Sequence, residues 1–414
     1  MVSVEADNPI GAVAETTVST QAQSPQTDTR EAMRAHVARH DARTRALDGL
    51  RGIAILLVMW YHQTVFAPAG WASSLAHTLA GYGWCGVDLF FVLSGYLITL
   101  GLLKSKGHDH FFRNFYVRRA LRILPLYYLV VVISLVILPH VPHPKLGHFG
   151  RIAGDELWYW LGFSNIAIAH AGTFRHGILD VCWSLSIEQQ FYLLWPVLVF
   201  FLSPRGVLRA GLAMVILAPM LRLVWLYGFA TEPLAIYVST PMRLDPLGWG
   251  AVLAACTYLK VSLRRSQVQV VLLSGLALIA LAAACYSGRD TSLNREVELF
   301  GFSGFALLFA ALVATALSDA VTGPAGWLRR VLSWSFLVAC GQYSYAMYLF
   351  HLPLRAVVRD VILKPAQFQG LFGSVLAGQF VFHILATAMT LGAAWLSWHL
   401  LEKHCLNLKR FFKT

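Results

Sequence analysis

Arg51 and His62 lie eleven residues apart in a stretch otherwise dominated by Leu, Ile, Val, Ala, Met and aromatic residues. Eleven residues of α-helix make three turns plus about 20°, so the two side chains project from one face with a rise of about 16 Å between them. A guanidinium is a planar fork suited to phosphate oxygens. An imidazole, with an ordinary pKa of about 6.5, is largely neutral at pH 7 and can take a proton from a hydroxyl or act as a nucleophile itself. Taken singly, Arg51 also reads as an anchor reaching for the membrane surface, and His62 as a hydrogen-bonded core residue. Their common face favours a shared site.

Further candidates follow along the chain. Glu188 comes just after Trp183-Ser-Leu-Ser and is placed to reach the depth of His62 from the opposite direction. A carboxylate there would fix the imidazole tautomer and stabilise the imidazolium. Asp88 competes for that role, with helix capping as its plainer use. Ser94-Gly95 suits close helix packing as well as it suits a hydroxyl at the site. Arg118, Arg119 and Arg122 precede Pro125, either as topology determinants or as a phosphate clamp. Arg222 falls inside an apolar segment, whereas Arg243 and Asp245 border the outer end of another and are expected to pair with each other or to contact an acceptor. Tyr343, Tyr345 and Tyr348 read as an interfacial belt or a substrate platform, and Trp158 and Trp160 as interfacial anchors or stacking surfaces. Histidines 140, 143, 148, 170 and 176 show no metal-ligand spacing, so no metal is assigned. Cys85 and Cys182 both fall near the outer surface and are a candidate disulfide; the other four cysteines read as packing residues.

These groups must be positioned by membrane helices. Over 414 residues, 57% are apolar and only 13% charged, about half the charge of an ordinary globular chain, and the mean hydropathy is +0.59. Six cysteines over this length exclude a disulfide scaffold, and 13 Trp with 25 Phe exclude a disordered chain. The net charge of +12 does not imply nucleic acid, because the basic residues sit between apolar runs rather than on a soluble face. From Leu47 onward ten runs are long enough to cross a bilayer, at about 47–67, 84–103, 119–139, 187–203, 208–228, 243–260, 268–286, 298–318, 334–352 and 372–401. The stretch Pro68 to Gly83 carries no charge, whereas the next connection holds Lys104, Lys106, Arg113, Arg118, Arg119 and Arg122. That asymmetry places both termini in the cytoplasm. Residues 1 to about 29 read as a disordered tail, and Arg30 to Arg45 as at most a basic surface helix. Within the long outer loop, 140–186, the apolar segment from Asp155 to Ser164 is expected to form a helix at the interface.

Several blocks together resemble the membrane acyltransferase-3 family. Leu47-Asp-Gly-Leu-Arg-Gly-Ile-Ala-Ile, ending at His62, is similar to its Arg/Lys-x10-His motif; Gly86-Val-Asp-Leu-Phe-Phe-Val-Leu-Ser-Gly95 to its second-helix motif; and Phe115-Tyr-Val-Arg-Arg-Ala-Leu-Arg-Ile-Leu-Pro125 to its basic third-helix start. Trp183-Ser-Leu-Ser-Ile-Glu-Gln-Gln-Phe-Tyr192 and Tyr343-Ser-Tyr-Ala-Met-Tyr-Leu-Phe-His351 complete the set, which spans residues 45–405. Many members end their last helix with Glu-Arg/Lys-Pro, where this chain has Glu402-Lys403-His404.

The resemblance implies an all-α polytopic membrane enzyme that transfers an acyl group, usually acetyl, from cytoplasmic acyl-CoA to a hydroxyl of a sugar or other acceptor. Its parts would be a cytoplasmic tail (1–44), a membrane acyltransferase domain (45–405) and a short C-terminal tail (406–414), in a bacterial inner membrane. His62, Glu188 and Asp88 are the catalytic candidates. Arg51, Arg118, Arg119 and Arg122 are expected to bind acyl-CoA, and Trp183, Arg243, Asp245, Tyr345 and His351 to bind substrate. The chain ends soon after the tenth run, which leads to the expectation of direct transfer to the final acceptor or transfer to a separate outer-side transferase. A cell-envelope or exopolysaccharide sugar is the favoured acceptor, with a macrolide or lipid as the alternative. A secondary transporter is the competing class, disfavoured because the pattern from Arg51 to His62 has no second copy.

Overall fold

The computed structural model describes residues 25–141, 154–229, 231–261, 264–285, 294–318, 322–362, 367 and 373–412. The chain divides into two units, residues 1–41 and 42–414. Of the first, the described part is helical from Pro25, five residues ahead of the start expected at Arg30; residues 1–24 lie outside the described residues. The second unit is built from helices, and no strand occurs among the described residues.

The long helices are α1 (Pro25–Gln63), α3 (Gly86–Ser105), α4 (Phe111–Val132), α7 (Cys182–Phe201), α8 (Pro204–Leu223), α10 (Leu244–Tyr258), α11 (Arg265–Cys285), α12 (Phe302–Leu317), α15 (Ser344–Val357) and α16 (Val375–Ser397). Shorter ones connect them: α2 (Trp71–Gly81), α5 (Glu156–Leu161), α6 (Ser164–Ala171), α9 (Pro233–Val238), α13 (Gly323–Leu332) and α14 (Ser335–Gln342). Every one of the ten expected runs is helical over most of its length. Six of the described helical stretches are long and apolar enough to cross a membrane: Trp71–Ser105, Phe111–His140, Pro204–Gly228, Arg265–Ala284, Val297–Leu317 and Val375–Phe411. The other four fall short for local reasons. Ser184, Ser186, Glu188, Gln189 and Gln190 dilute α7, α10 is only 15 residues long, and the ninth run breaks at Tyr343 between α14 and α15. In α1 the apolar run starts late, after a polar half.

Helix α3 is the centre of the bundle, buried on nearly all sides and packed by α7, α10 and α12. Its close crossing with α10 depends on two glycines: a Cβ on Gly95 would collide with the Leu247 carbonyl, and one on Gly250 with that of Val92. Small residues let backbones approach where helices have no hydrophobic force to drive them together. The Ser94-Gly95 pair therefore serves packing through Gly95, which leaves Ser94 for another task. Bilayer-facing helices look different, as expected for a lipid boundary: Leu273 on α11 and Phe380 on α16 are exposed. The apolar segment expected to be helical from Asp155 to Ser164 forms α5, and Tyr128 on α4 stacks on its Trp160.

Candidate active site

Helix α1 carries both Arg51 and His62. Arg51 Nη1 is 3.3 Å from Asp48 Oδ1, one turn back, and the guanidinium lines two adjoining cavities. The first is lined by Ser94 and Phe91 from α3, Arg119 and Arg122 from α4, Ser184, Glu188 and Tyr192 from α7, and Tyr345 and Tyr348 from α15. The second, about 370 Å³, adds Asp48, Gln342, Tyr343, Trp398 and Glu402. Arg51, Arg122 and Tyr345 are common to both.

Of the four arginines expected to act together, three meet at these cavities. Arg119 also lies over the rings of Phe115 and Tyr192, each centroid 5.9 Å away. Arg118 points elsewhere, donating from Nη1 to the Phe412 carbonyl at 3.0 Å. One helical position separates it from Arg119, about 100° of rotation, which is enough to carry it off the cavity face.

Glu188 lies in the first cavity, where it accepts from Ser94 Oγ at 2.5 Å and from the Tyr192 hydroxyl at 3.0 Å. The Tyr192 hydroxyl oxygen is also 3.1 Å from Ser94 Oγ. Its hydrogen bonds therefore join it to α3 and to its own helix, and the expected contact between Glu188 and His62 is not among them. Asp88 is taken as well: Arg243 Nη2 reaches its Oδ1 at 2.6 Å, with both side chains fully buried.

The neighbour of His62 is His351, from α15. His351 Nε2 stands 3.3 Å from His62 Nδ1, and the ring centroids are 4.9 Å apart. The hydrogen positions follow from the acceptors around them. His351 Nδ1 faces the Tyr348 carbonyl at 2.6 Å, and a carbonyl only accepts, so Nδ1 carries the hydrogen and Nε2 the lone pair. His62 Nδ1 faces that lone pair and the Val58 carbonyl at 2.9 Å, two acceptors, so it too is protonated. The free lone pair of His62 is then on Nε2. His351, expected to bind substrate, stands beside His62, where its Nε2 lone pair can accept from His62 Nδ1.

The remaining acceptor candidates are distributed differently from expectation. Arg243 and Asp245 do not pair with each other. Asp245 is gripped by Arg222 through two contacts, 3.0 and 2.8 Å, while Arg243 takes Asp88 and lays its guanidinium over the Phe302 ring at 3.9 Å. Two residues apart at the start of a helix, Arg243 and Asp245 point in directions about 200° apart, so a mutual contact is geometrically disfavoured. Ser303 bridges the second pair, accepting from Arg222 and donating to Asp245. Glu298 is fully buried nearby, a carboxylate the sequence reading passed over. Trp183 packs against Tyr237 at 4.6 Å and Phe91 at 6.5 Å, deep in the aromatic core. Tyr345 lines the cavities and donates to the Ile123 carbonyl at 2.8 Å; Tyr348 is within 2.6 Å of Ser184 Oγ.

Cys85 and Cys182 are both buried and both free, so the candidate disulfide is absent. His143 and His148 lie outside the described residues. The loop leading into α7 is fixed by Asp180, which accepts from the backbone N–H groups of His176 (2.9 Å) and Gly177 (2.6 Å). Burial raises the Asp180 carboxyl above its ordinary range and lowers the His176 imidazole to about 4.

Residues 44–399 match the acyltransferase-3 family, described as an acyltransferase domain, and the chain belongs to that family. It is 30% identical over 378 residues to the putative peptidoglycan O-acetyltransferase YrhL of Bacillus subtilis, covering 89% of this chain and 56% of that protein. It is also 30% identical over 333 residues to the peptidoglycan O-acetyltransferase OatA of Listeria monocytogenes, covering 77% and 50%. A putative O-acetyltransferase of Staphylococcus aureus is 28% identical over 333 residues, covering 76% and 51%. The chain thus spans about half the length of these relatives. Family membership together with the apolar helices makes this a multi-pass membrane protein.

Proposed function

We propose, from membership of this family, that the protein is a membrane O-acetyltransferase that moves an acetyl group from cytoplasmic acetyl-CoA to a hydroxyl of a cell-envelope sugar, with peptidoglycan as the leading acceptor because two relatives carry that name. In this reading all ten runs cross an inner bacterial membrane and both termini are cytoplasmic. The observation that carries it is the convergence on one cavity of Arg119 and Arg122 from α4 with Arg51 from α1, the helix whose far end presents His62.

Phosphates are too strongly hydrated to enter hydrocarbon without partners. Three guanidiniums supply them, with Arg119 and Arg122 on α4 facing Arg51 on α1. The pantetheine arm is slender enough to continue along α1, and the rise of about 16 Å from Arg51 to His62 is the distance it has to cover. At the upper end the Nε2 lone pair of His62 takes the proton of the acceptor hydroxyl as its oxygen attacks the thioester carbonyl. The C–S bond then breaks, and the imidazolium returns the proton to the leaving thiolate. Glu188, held by Ser94 and Tyr192, acts in the lower cavity, where its charge offsets those of Arg51 and Arg119 and keeps the clamp from repelling itself. The acyl group passes directly from thioester to acceptor, without a protein-bound intermediate.

The test is transfer by purified protein in proteoliposomes from radiolabelled acetyl-CoA to muropeptide or glycan fragments. Product in the presence of acceptor, with CoA released only then, supports the reading. A stoichiometric acetyl-protein without acceptor, abolished in His62→Ala, would replace it with a two-step relay through the imidazole.

A further inference from the structure

Arg355 follows His351 by four residues on α15, so both project from the same face, one turn apart. That face meets His62, because His351 Nε2 is 3.3 Å from His62 Nδ1. The Arg355 charge bears on both imidazoles, and Arg359, Asp360 and Tyr61 act on it in turn. Yet among the described residues no ion pair involves Arg355, and its Nε is buried without a hydrogen-bond partner. The carboxylate closest in sequence is already committed: Asp360 is held by Arg359 through two contacts, 2.8 and 2.6 Å. A buried N–H of a charged group that lacks an acceptor is costly, so such a group persists where an anion completes it.

We propose that Arg355 is a further catalytic residue, the donor that binds the oxyanion formed on the acyl carbonyl during transfer. This rests on the acetyltransferase reading and on His62 as base. When His62 Nε2 removes the hydroxyl proton, the acceptor oxygen bonds to the carbonyl carbon and the C=O π pair moves onto oxygen. The negative charge appears next to His62, whose neighbour His351 stands one helical turn from Arg355 on α15. Collapse re-forms C=O and breaks the C–S bond, and the thiolate leaves with the proton from the imidazolium. A preorganised donor at a developing oxyanion contributes about 10²–10³ in rate per group. Among the described residues Asp360, the carboxylate whose charge bears on Arg355, is held by Arg359, which leaves the Arg355 Nε–H without an acceptor before the reaction.

The experiment compares the wild type with Arg355→Lys, Arg355→Gln and Arg355→Ala in proteoliposomes, after monodisperse elution in detergent has shown that each variant folds. The expected result is a fall in kcat of about 10²–10³ for Arg355→Gln and Arg355→Ala, with the KM for acetyl-CoA and for acceptor within about threefold of wild type. Arg355→Lys should lose less, and added guanidine should partly restore Arg355→Ala. Unchanged kcat in Arg355→Gln would overturn the proposal, as would a loss confined to the KM for acceptor, which would make Arg355 a binding group for a substrate anion. In both cases, retained wild-type transfer that is lost in His62→Ala leaves the acetyltransferase reading standing. No transfer by wild type to any hydroxyl acceptor removes the reading and this proposal together.

Discussion

His351 Nε2 lies 3.3 Å from His62 Nδ1, on a helix separated from α1 by almost three hundred residues of chain. With His351 Nδ1 committed to the Tyr348 carbonyl, the pair admits one arrangement of hydrogens in the neutral state, and it leaves the lone pair of His62 on Nε2. A histidine here performs the orienting task that a carboxylate performs in hydrolytic triads, without adding a negative charge beside the imidazole. The imidazolium formed during transfer is correspondingly less stabilised, which favours prompt return of the proton to the leaving thiolate.

His62→Ala should abolish transfer and leave membrane insertion intact, since general-base catalysis contributes about 10²–10⁴-fold. Initial rates with saturating acetyl-CoA measure it. More than a few per cent of wild-type activity would remove His62 from the chemistry.

For His351 the choice of replacement matters. The amide oxygen of His351→Gln can still accept from His62 Nδ1–H, whereas His351→Leu cannot. The glutamine variant should keep a substantial share of kcat and the leucine variant lose at least tenfold, with the KM for acetyl-CoA unchanged in both. Equal losses would mean that His351 serves packing alone.

Donor binding should separate Arg118, Arg119 and Arg122 of α4. Arg119→Gln and Arg122→Gln should each weaken the affinity for a non-hydrolysable CoA analogue at least tenfold, because each removes a charge-assisted contact to phosphate. Arg118→Gln should change it little, since that guanidinium is turned to the Phe412 carbonyl. Calorimetry on detergent-solubilised protein decides the matter, and equal effects at all three positions would contradict the geometry.

The pair Asp88–Arg243 is expected to govern stability rather than turnover. Removing one member of a fully buried ion pair costs about 3–5 kcal/mol, because the other charge stays buried and unpaired. Asp88→Ala should therefore lower the unfolding temperature in detergent sharply, and the double variant Asp88→Leu with Arg243→Met should recover much of the loss. A double variant no more stable than the single one would show that Arg243 has a role beyond pairing.

Some features follow from sequence because local geometry dictates them. The common face of Arg51 and His62 depends only on helical periodicity over eleven residues, and long apolar runs must become helices where no water can satisfy a backbone. The charge of the connection after α3, set against the uncharged stretch before it, is likewise written in composition. The family resemblance read from motif order agrees with the match over residues 44–399.

Pairings among side chains were decided only by the tertiary structure. Residue type showed that Asp88, Glu188, Arg222, Arg243 and Asp245 needed partners inside the membrane, but not which partner each would take. Asp88 takes Arg243 because α3 and the start of α10 cross closely, an approach that requires Gly95 and Gly250; Asp245 is left to Arg222 on α8. By the same logic Glu188 meets Ser94 rather than His62, and His351 fills the place beside the imidazole. A buried charge settles with whichever complementary group the packing brings within about 3 Å, and sequence spacing encodes no distance between different helices.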